Sequence, residues 1–97
     1  MTWIKPEDVI SPKSRWRIVD VLLSRGKGGW SLALGIWDDR PRLAIRWNGD
    51  EDTPIGTPQS RGLPVWTMLP EELHDPVLKV VQGEDSDKAR VARALLK

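Results

Sequence analysis

Two neighbouring runs of strict two-residue alternation constrain this chain more than any other feature. Residues 30–37 place Trp30, Leu32, Leu34 and Ile36 on one side and Ser31, Ala33, Gly35 and Trp37 on the other. Residues 42–47 oppose Leu43, Ile45 and Trp47 to Arg42, Ala44 and Arg46. A period of two is the pleat of a β-strand, and the long apolar set on one side demands a cover. Asp38-Asp39-Arg40-Pro41 supplies a turn between the runs. Residues 15–23 (Arg15-Trp16-Arg17-Ile18-Val19-Asp20-Val21-Leu22-Leu23) have strand length and β-branched content. Residues 63–69 give a short fourth strand, with Pro64 marking a strand start or an edge.

Leu69-Pro70-Glu71-Glu72-Leu73 opens a helix, with proline in the first turn and acids at the positive end of the dipole. Pro76 either kinks that helix or restarts it with Asp75 as cap. Val77, Leu78, Val80 and Val81 give it an apolar stripe, Gly83 is a stop, and Ser86 caps a last helix running to Leu96. The expected class is α+β, in the order β-β-β-β-α, with a four-stranded antiparallel sheet covered by the helix. Three segments follow: an extended arm over 1–14, a ββββα domain over 15–83 and a helical extension over 84–97. Within the domain, the polar loop 50–62 is long for so small a protein, which marks it as a functional or mobile element.

A length of 97 residues allows one domain with a small core. Exposed sheet edges on so short a chain lead us to expect a homodimer. The chain has no Cys and one His. Disulfides, thiol catalysis and cysteine-based zinc sites are therefore excluded, and a Ser-His-Asp triad or a histidine-rich hydrolase site has too little to work with. His74 has only Glu72 and Asp75 beside it, too few ligands for a metal. Asp38-Asp39 and Asp50-Glu51-Asp52 sit in turns, where Asp bonds its own backbone. Arg25-Gly26-Lys27-Gly28-Gly29 lacks the phosphate-loop spacing and precedes a strand, so it reads as a hairpin turn. No enzyme, metal or cofactor is expected. No apolar run approaches the ~20 residues of a membrane span, and no secretory leader is visible, so a cytoplasmic protein, free or on the nucleoid, is expected.

The net charge of +1 hides an asymmetry. Residues 1–47 carry nine Lys/Arg against five Asp/Glu, and residues 48–97 carry six against nine. All six aromatic residues are Trp. If the strands form a meander, Ser31, Ala33, Gly35, Trp37, Arg42, Ala44 and Arg46 share one low, cationic face, to which the first strand adds Arg15 and Arg17. Small side chains let a strand of nucleic acid lie close, Arg contacts phosphate, and Trp offers a stacking platform. A solvated polar face would carry the same residue types.

Gly29-Trp30-Ser31, Ile36-Trp37-Asp38-Asp39-Arg40-Pro41 and Ile45-Arg46-Trp47 resemble the positive cofactor 4 family of transcriptional coactivators, and most of all its bacterial single-stranded DNA-binding members. The likeness spans about residues 15–82. It departs from the family pattern in the long 48–64 loop and in Ser60-Arg61-Gly62-Leu63-Pro64, where the family has a glycine-lysine segment. The resemblance implies a curved four-stranded sheet followed by a helix, a homodimer, and nucleic-acid contact by Lys27, Trp30, Trp37, Arg40, Arg42 and Arg46. Alternation alone puts Trp30 on the apolar face instead. The expected function is sequence-tolerant binding of single-stranded DNA, or RNA, in transcription, replication or repair. The alternative is a small phage- or plasmid-type regulator that binds a protein through Trp37, Trp66 and the 50–62 loop.

Overall fold

The computed structural model describes residues 3–97. Three long strands form an antiparallel meander: β1 (Trp16–Ser24), β2 (Trp30–Trp37) and β3 (Arg40–Trp47). Two short strands, β4 (Gln59–Ser60) and β5 (Leu63–Pro64), make a separate small hairpin. The next strand, β6 (Thr67–Met68), returns to the main sheet, whose order is β1-β2-β3-β6. The fold is α+β with a four-stranded antiparallel sheet, as expected. The fourth strand is shorter than residues 63–69, because Leu63 and Pro64 pair with the loop and only Thr67 and Met68 reach β3.

The β2–β3 turn is tighter than four residues. Asp38 and Asp39 both have positive φ, 48° and 68°. That is the two-residue geometry whose twist matches flanking strands, and Asp tolerates it. Arg40 and Pro41 therefore already lie in β3, opposite Trp37 and Ile36. On β1, bulges displace Val19 and Leu22 from the ladder. Ahead of the bulges, plain alternation already takes Arg17 off the face it was expected to share: Trp16 stands opposite Trp37 on that face, and Arg17 stands opposite Ile36, on the other.

Two helices follow rather than one. A 3-10 turn, Glu71–Leu73, runs straight into α1 (His74–Glu84). Pro76 lies in the first turn of α1, where its missing N–H is unneeded, so the helix neither kinks nor restarts there. Gly83 is inside α1, not its stop. Asp85 caps α2 (Ser86–Leu96) by accepting from the Lys88 backbone N–H at 3.1 Å. Leu78 and Val81 of α1 and Ala89 and Ala92 of α2 pack on Leu23, Leu32, Leu34 and Leu43. The 83/84 boundary drawn from the sequence thus separates two helices that share one core.

The second face is the larger correction. Ser31, Ala33, Gly35 and Ala44 are buried, and a second cluster of Val9, Trp16 and Trp66 covers them. The N-terminal arm and the loop before β6 lie across this face. Ile4 N–H donates to the Pro54 carbonyl at 2.9 Å, and the Trp66 indole N–H donates to the Val9 carbonyl at 2.8 Å. The Trp16 and Trp66 rings meet at 6.2 Å, tilted by 42°. The small-residue stripe makes room for the chain's own indoles. Trp66→Phe keeps the ring but orphans the buried Val9 carbonyl. We expect a loss of about 1–2 kcal/mol in chemical denaturation and faster amide exchange over residues 4–9. An unchanged midpoint would show that the arm is held by packing alone.

Among the described residues, no helix is long and apolar enough to cross a membrane.

Candidate nucleic-acid interface

The eight residues expected to touch nucleic acid do not form one face. Four of them gather at the turn end of the sheet. Asp38 N–H donates to the Arg15 carbonyl at 3.0 Å, which ties the start of β1 to the β2–β3 turn. The Arg15 guanidinium then lies 5.8 Å from the centre of the half-buried Trp37 ring and 3.4 Å from Asp38. Arg40 projects beside Trp37 as its cross-strand partner, and Arg17 is exposed along β1. Lys13, Arg15 and Arg17 line a shallow cavity of about 280 Å³ with Asp38 and Asp39. Among the described residues, Lys13, Arg17 and Arg40 have no carboxylate within ion-pair distance. This end is therefore a cationic surface with one accessible indole in it. Lys13 was not singled out in the sequence, because it precedes β1 and its alternation.

Arg42 turns round the open edge of β3. Beyond β6 that edge has no further strand, and the side chain reaches Glu71, which accepts from it at 3.2 Å. Lys27 and Trp30 sit at the opposite end of the sheet. Glu51 binds Lys27, raising the ammonium pKa and holding its own carboxyl below the usual range. Arg25 makes two hydrogen bonds of 2.7 Å to Glu84 and lies 6.0 Å from the Trp30 ring centre. Its pKa is raised by that bond, and the Glu84 carboxyl is lowered by it. The two cations of the glycine-rich turn are thus already neutralised. Trp30 lies on the helix-bearing face, as alternation alone implies.

Arg46 is the clearest departure from an open basic face. It is only 2% exposed. Its guanidinium donates to the Val65 carbonyl at 2.6 Å and to the Ile55 carbonyl, and lies 6.0 Å from the Trp66 ring centre. Burial lowers its pKa from the ordinary value, yet an arginine stays charged in such a site. It is a clamp for the 54–66 loop. The alternating pattern identified its face correctly but could not show that the face is covered.

Trp47 was expected under the helices. It is 57% exposed, because α1 and α2 cover the middle of the sheet and Trp47 ends its strand beyond them. With Trp30, Ile45 and Pro58 it lines an apolar hollow of about 360 Å³. Trp66, offered as a contact residue in the protein-binding alternative, is 7% exposed and interior. Among the described residues, no three His, Asp or Glu side chains cluster in a way that could hold a metal ion.

Comparison with protein-family models, with curated proteins and with solved structures finds no match to this chain.

Proposed function

We propose that the protein binds single-stranded nucleic acid, DNA first, without reading its sequence, through the turn end of the sheet. The observation that carries this reading is the cluster of exposed cations at the turn end of the sheet: Lys13, Arg15 and Arg17 line one shallow cavity, Arg15 also stacks on Trp37, and Arg40 stands opposite Trp37; Lys13, Arg17 and Arg40 have no carboxylate partner among the described residues. Unpaired exposed cations release counterions when phosphate replaces solvent, and an indole among them takes a base by stacking. The interaction involves no bond chemistry. The likeness to the positive cofactor 4 family belongs to the same proposal, with its contact surface moved from the middle of the sheet to its end. So does the homodimer. Both sheet faces are covered within one chain, so a second copy would pair at a strand edge, and the long outer edge of β1 offers more backbone than the two-residue β6.

The test is anisotropy of a labelled oligo(dT) of about 20 nucleotides, and of oligo(U), between about 50 and 200 mM salt. Affinity should fall linearly in log salt. The double variant Arg17→Ala/Arg40→Ala removes two cations that hold nothing in the fold. It should bind roughly tenfold more weakly and reduce the salt slope by about 1.4, near 0.7 per phosphate contact. No binding at low salt, or an unchanged slope in the variant, refutes the reading.

One observation favours a second reading, a protein contact: the hollow beside the exposed Trp47. Binding there would be little affected by salt and lost in Trp47→Ala.

A further inference from the structure

A cavity of about 610 Å³ lies where the start of β3, the first turn of α1 and the last turn of α2 meet. Arg40, Arg42, Arg93 and Lys97 line it. Only two carboxylates oppose these four cations. Glu71 holds Arg42 at 3.2 Å, and Asp75 holds Arg93 at 3.3 Å, so both guanidinium groups are fixed in place. Arg40 and Lys97 have no carboxylate partner among the described residues. The side chains of the lining therefore carry two positive charges in excess.

His74 adds an independent observation. Its ring lines the same cavity, and its Nε2 is buried with no hydrogen-bond partner. A buried polar atom without a partner is rare and costly, and a turn of the ring toward a ligand in the cavity would relieve it. The surroundings of the ring are the Leu69 backbone, Arg42, Glu71 and apolar packing, and burial holds its pKa below the ordinary value. An anion brought beside it favours the imidazolium, whose Nε2–H would then donate to that anion.

The size of the cavity restricts the occupant. It lies within the range of small-molecule sites and is much larger than one inorganic anion needs. Leu78 and Leu96 give it an apolar wall beside the cations. A group that is doubly charged at one end and carries a less polar body fits both features. A phosphate monoester is close to a dianion at neutral pH, whereas an internal phosphodiester carries one charge. We infer that this cavity binds a phosphomonoester attached to a sugar. That chemistry belongs both to the terminal phosphate of a nucleic-acid strand and to a free mononucleotide. The strand-end source rests on the function proposed above; the cavity itself does not.

The experiment compares oligo(dT) bearing a 5′-phosphate, a 3′-phosphate or hydroxyls at both ends, by anisotropy. Calorimetry compares thymidine monophosphate with thymidine. A phosphorylated strand should bind about tenfold tighter than the hydroxyl strand, the worth of one good charge-assisted contact. That advantage should vanish in Arg93→Gln and shrink in Lys97→Ala, while both variants bind the hydroxyl strand as the parent does. Lys97 is exposed and lies outside the core, so its variant reads the site even where Arg93→Gln perturbs the fold. Arg17→Ala should weaken all strands alike and preserve the ratio. Binding of the mononucleotide with no advantage for phosphorylated strands supports the inference and assigns the site to free nucleotides. If neither phosphorylated strands nor the mononucleotide gain from their phosphate, or if the gain survives in both variants, the inference is overturned. Failure of the hydroxyl strand alone refutes only the strand-binding function.

Discussion

Arg46→Ala is expected to destabilise the protein by about 4 kcal/mol, read as a shift in the denaturant midpoint at constant slope. Two half-buried carbonyls, of Ile55 and Val65, lose a charged donor at once. Each hydrogen bond to a charged group is worth roughly 1.5–3 kcal/mol, and removal of the side chain also leaves a cavity beside Trp66. Domains of this size have about 5–15 kcal/mol in total, so the variant sits near the edge of folding. Arg46→Lys should recover little. A single ammonium lacks the planar fork that bonds two carbonyls on different segments of the loop. Any loss of oligonucleotide binding in Arg46→Ala should follow the unfolded fraction and be restored where the protein is refolded by cooling or by a stabilising solute. A variant that stays within about 1 kcal/mol of the parent but loses binding would return Arg46 to the contact surface and contradict the clamp.

The same arginine shows where sequence reading succeeds and where it stops. Strict alternation located β2 and β3 and paired their faces, because a period of two has one structural meaning when one face is heavily apolar. Leu32, Leu34 and Leu43 are buried under helices as that argument requires. The other face was ambiguous in principle. Ser31, Ala33, Gly35 and Ala44 are small enough to admit a ligand, but equally small enough to admit the chain itself. Which occurs depends on residues far away in sequence, Val9 and Trp66, whose partners no local pattern announces. Trp16 and Trp66 could have signalled it: two large indoles in a chain with no other aromatic type need a surface low enough to lie on.

The cationic end was legible only in part. Trp37 was named through the alternation of its strand, Arg40 through the family resemblance, and Arg15 and Arg17 as the first strand's share of the cationic face. Lys13 was missed because it lies before any strand. Arg93 and His74 were missed as partners of Arg42 because they come from two helices that converge on the β3 edge only in three dimensions. Bulges at Val19 and Leu22 also shift the later half of β1, so its alternation cannot be followed through the whole strand. Helix ends failed for a different reason. Pro76 falls in the first turn, where its missing N–H costs nothing, Gly83 is tolerated in the last turn of a helix held by its packing against the sheet, and Asp85 rather than Ser86 supplies the cap.

Gly35→Ala is expected to cost about 3 kcal/mol, although alanine is otherwise the easier residue to fold. Backbone freedom is not the cause. A Cβ built at Gly35 would stand 2.3, 2.6 and 2.7 Å from three ring carbons of Trp16. The ring cannot retreat, because it is 3% exposed and backed by Trp66. Either the indole lifts off the sheet, carrying the N-terminal arm with it, or β2 bends away from β1. Packed interiors yield poorly to both, and insertion of a methyl group into them commonly costs 1–3 kcal/mol, so about 3 kcal/mol is the upper end for a contact this short. The diagnosis predicts a strong coupling. In a Trp16→Leu background, where the ring is gone, the same Gly35→Ala change should cost less than about 1 kcal/mol, an interaction of about 2 kcal/mol in the double-mutant cycle. Additive effects would mean that the strand needs glycine for a reason other than the indole. Because Trp16 stands opposite Trp37, lifting it should also disturb the end of the sheet where Arg15 stacks. Gly35→Ala should therefore weaken oligonucleotide binding even under conditions where the protein remains folded, which a purely peripheral charge patch would not do.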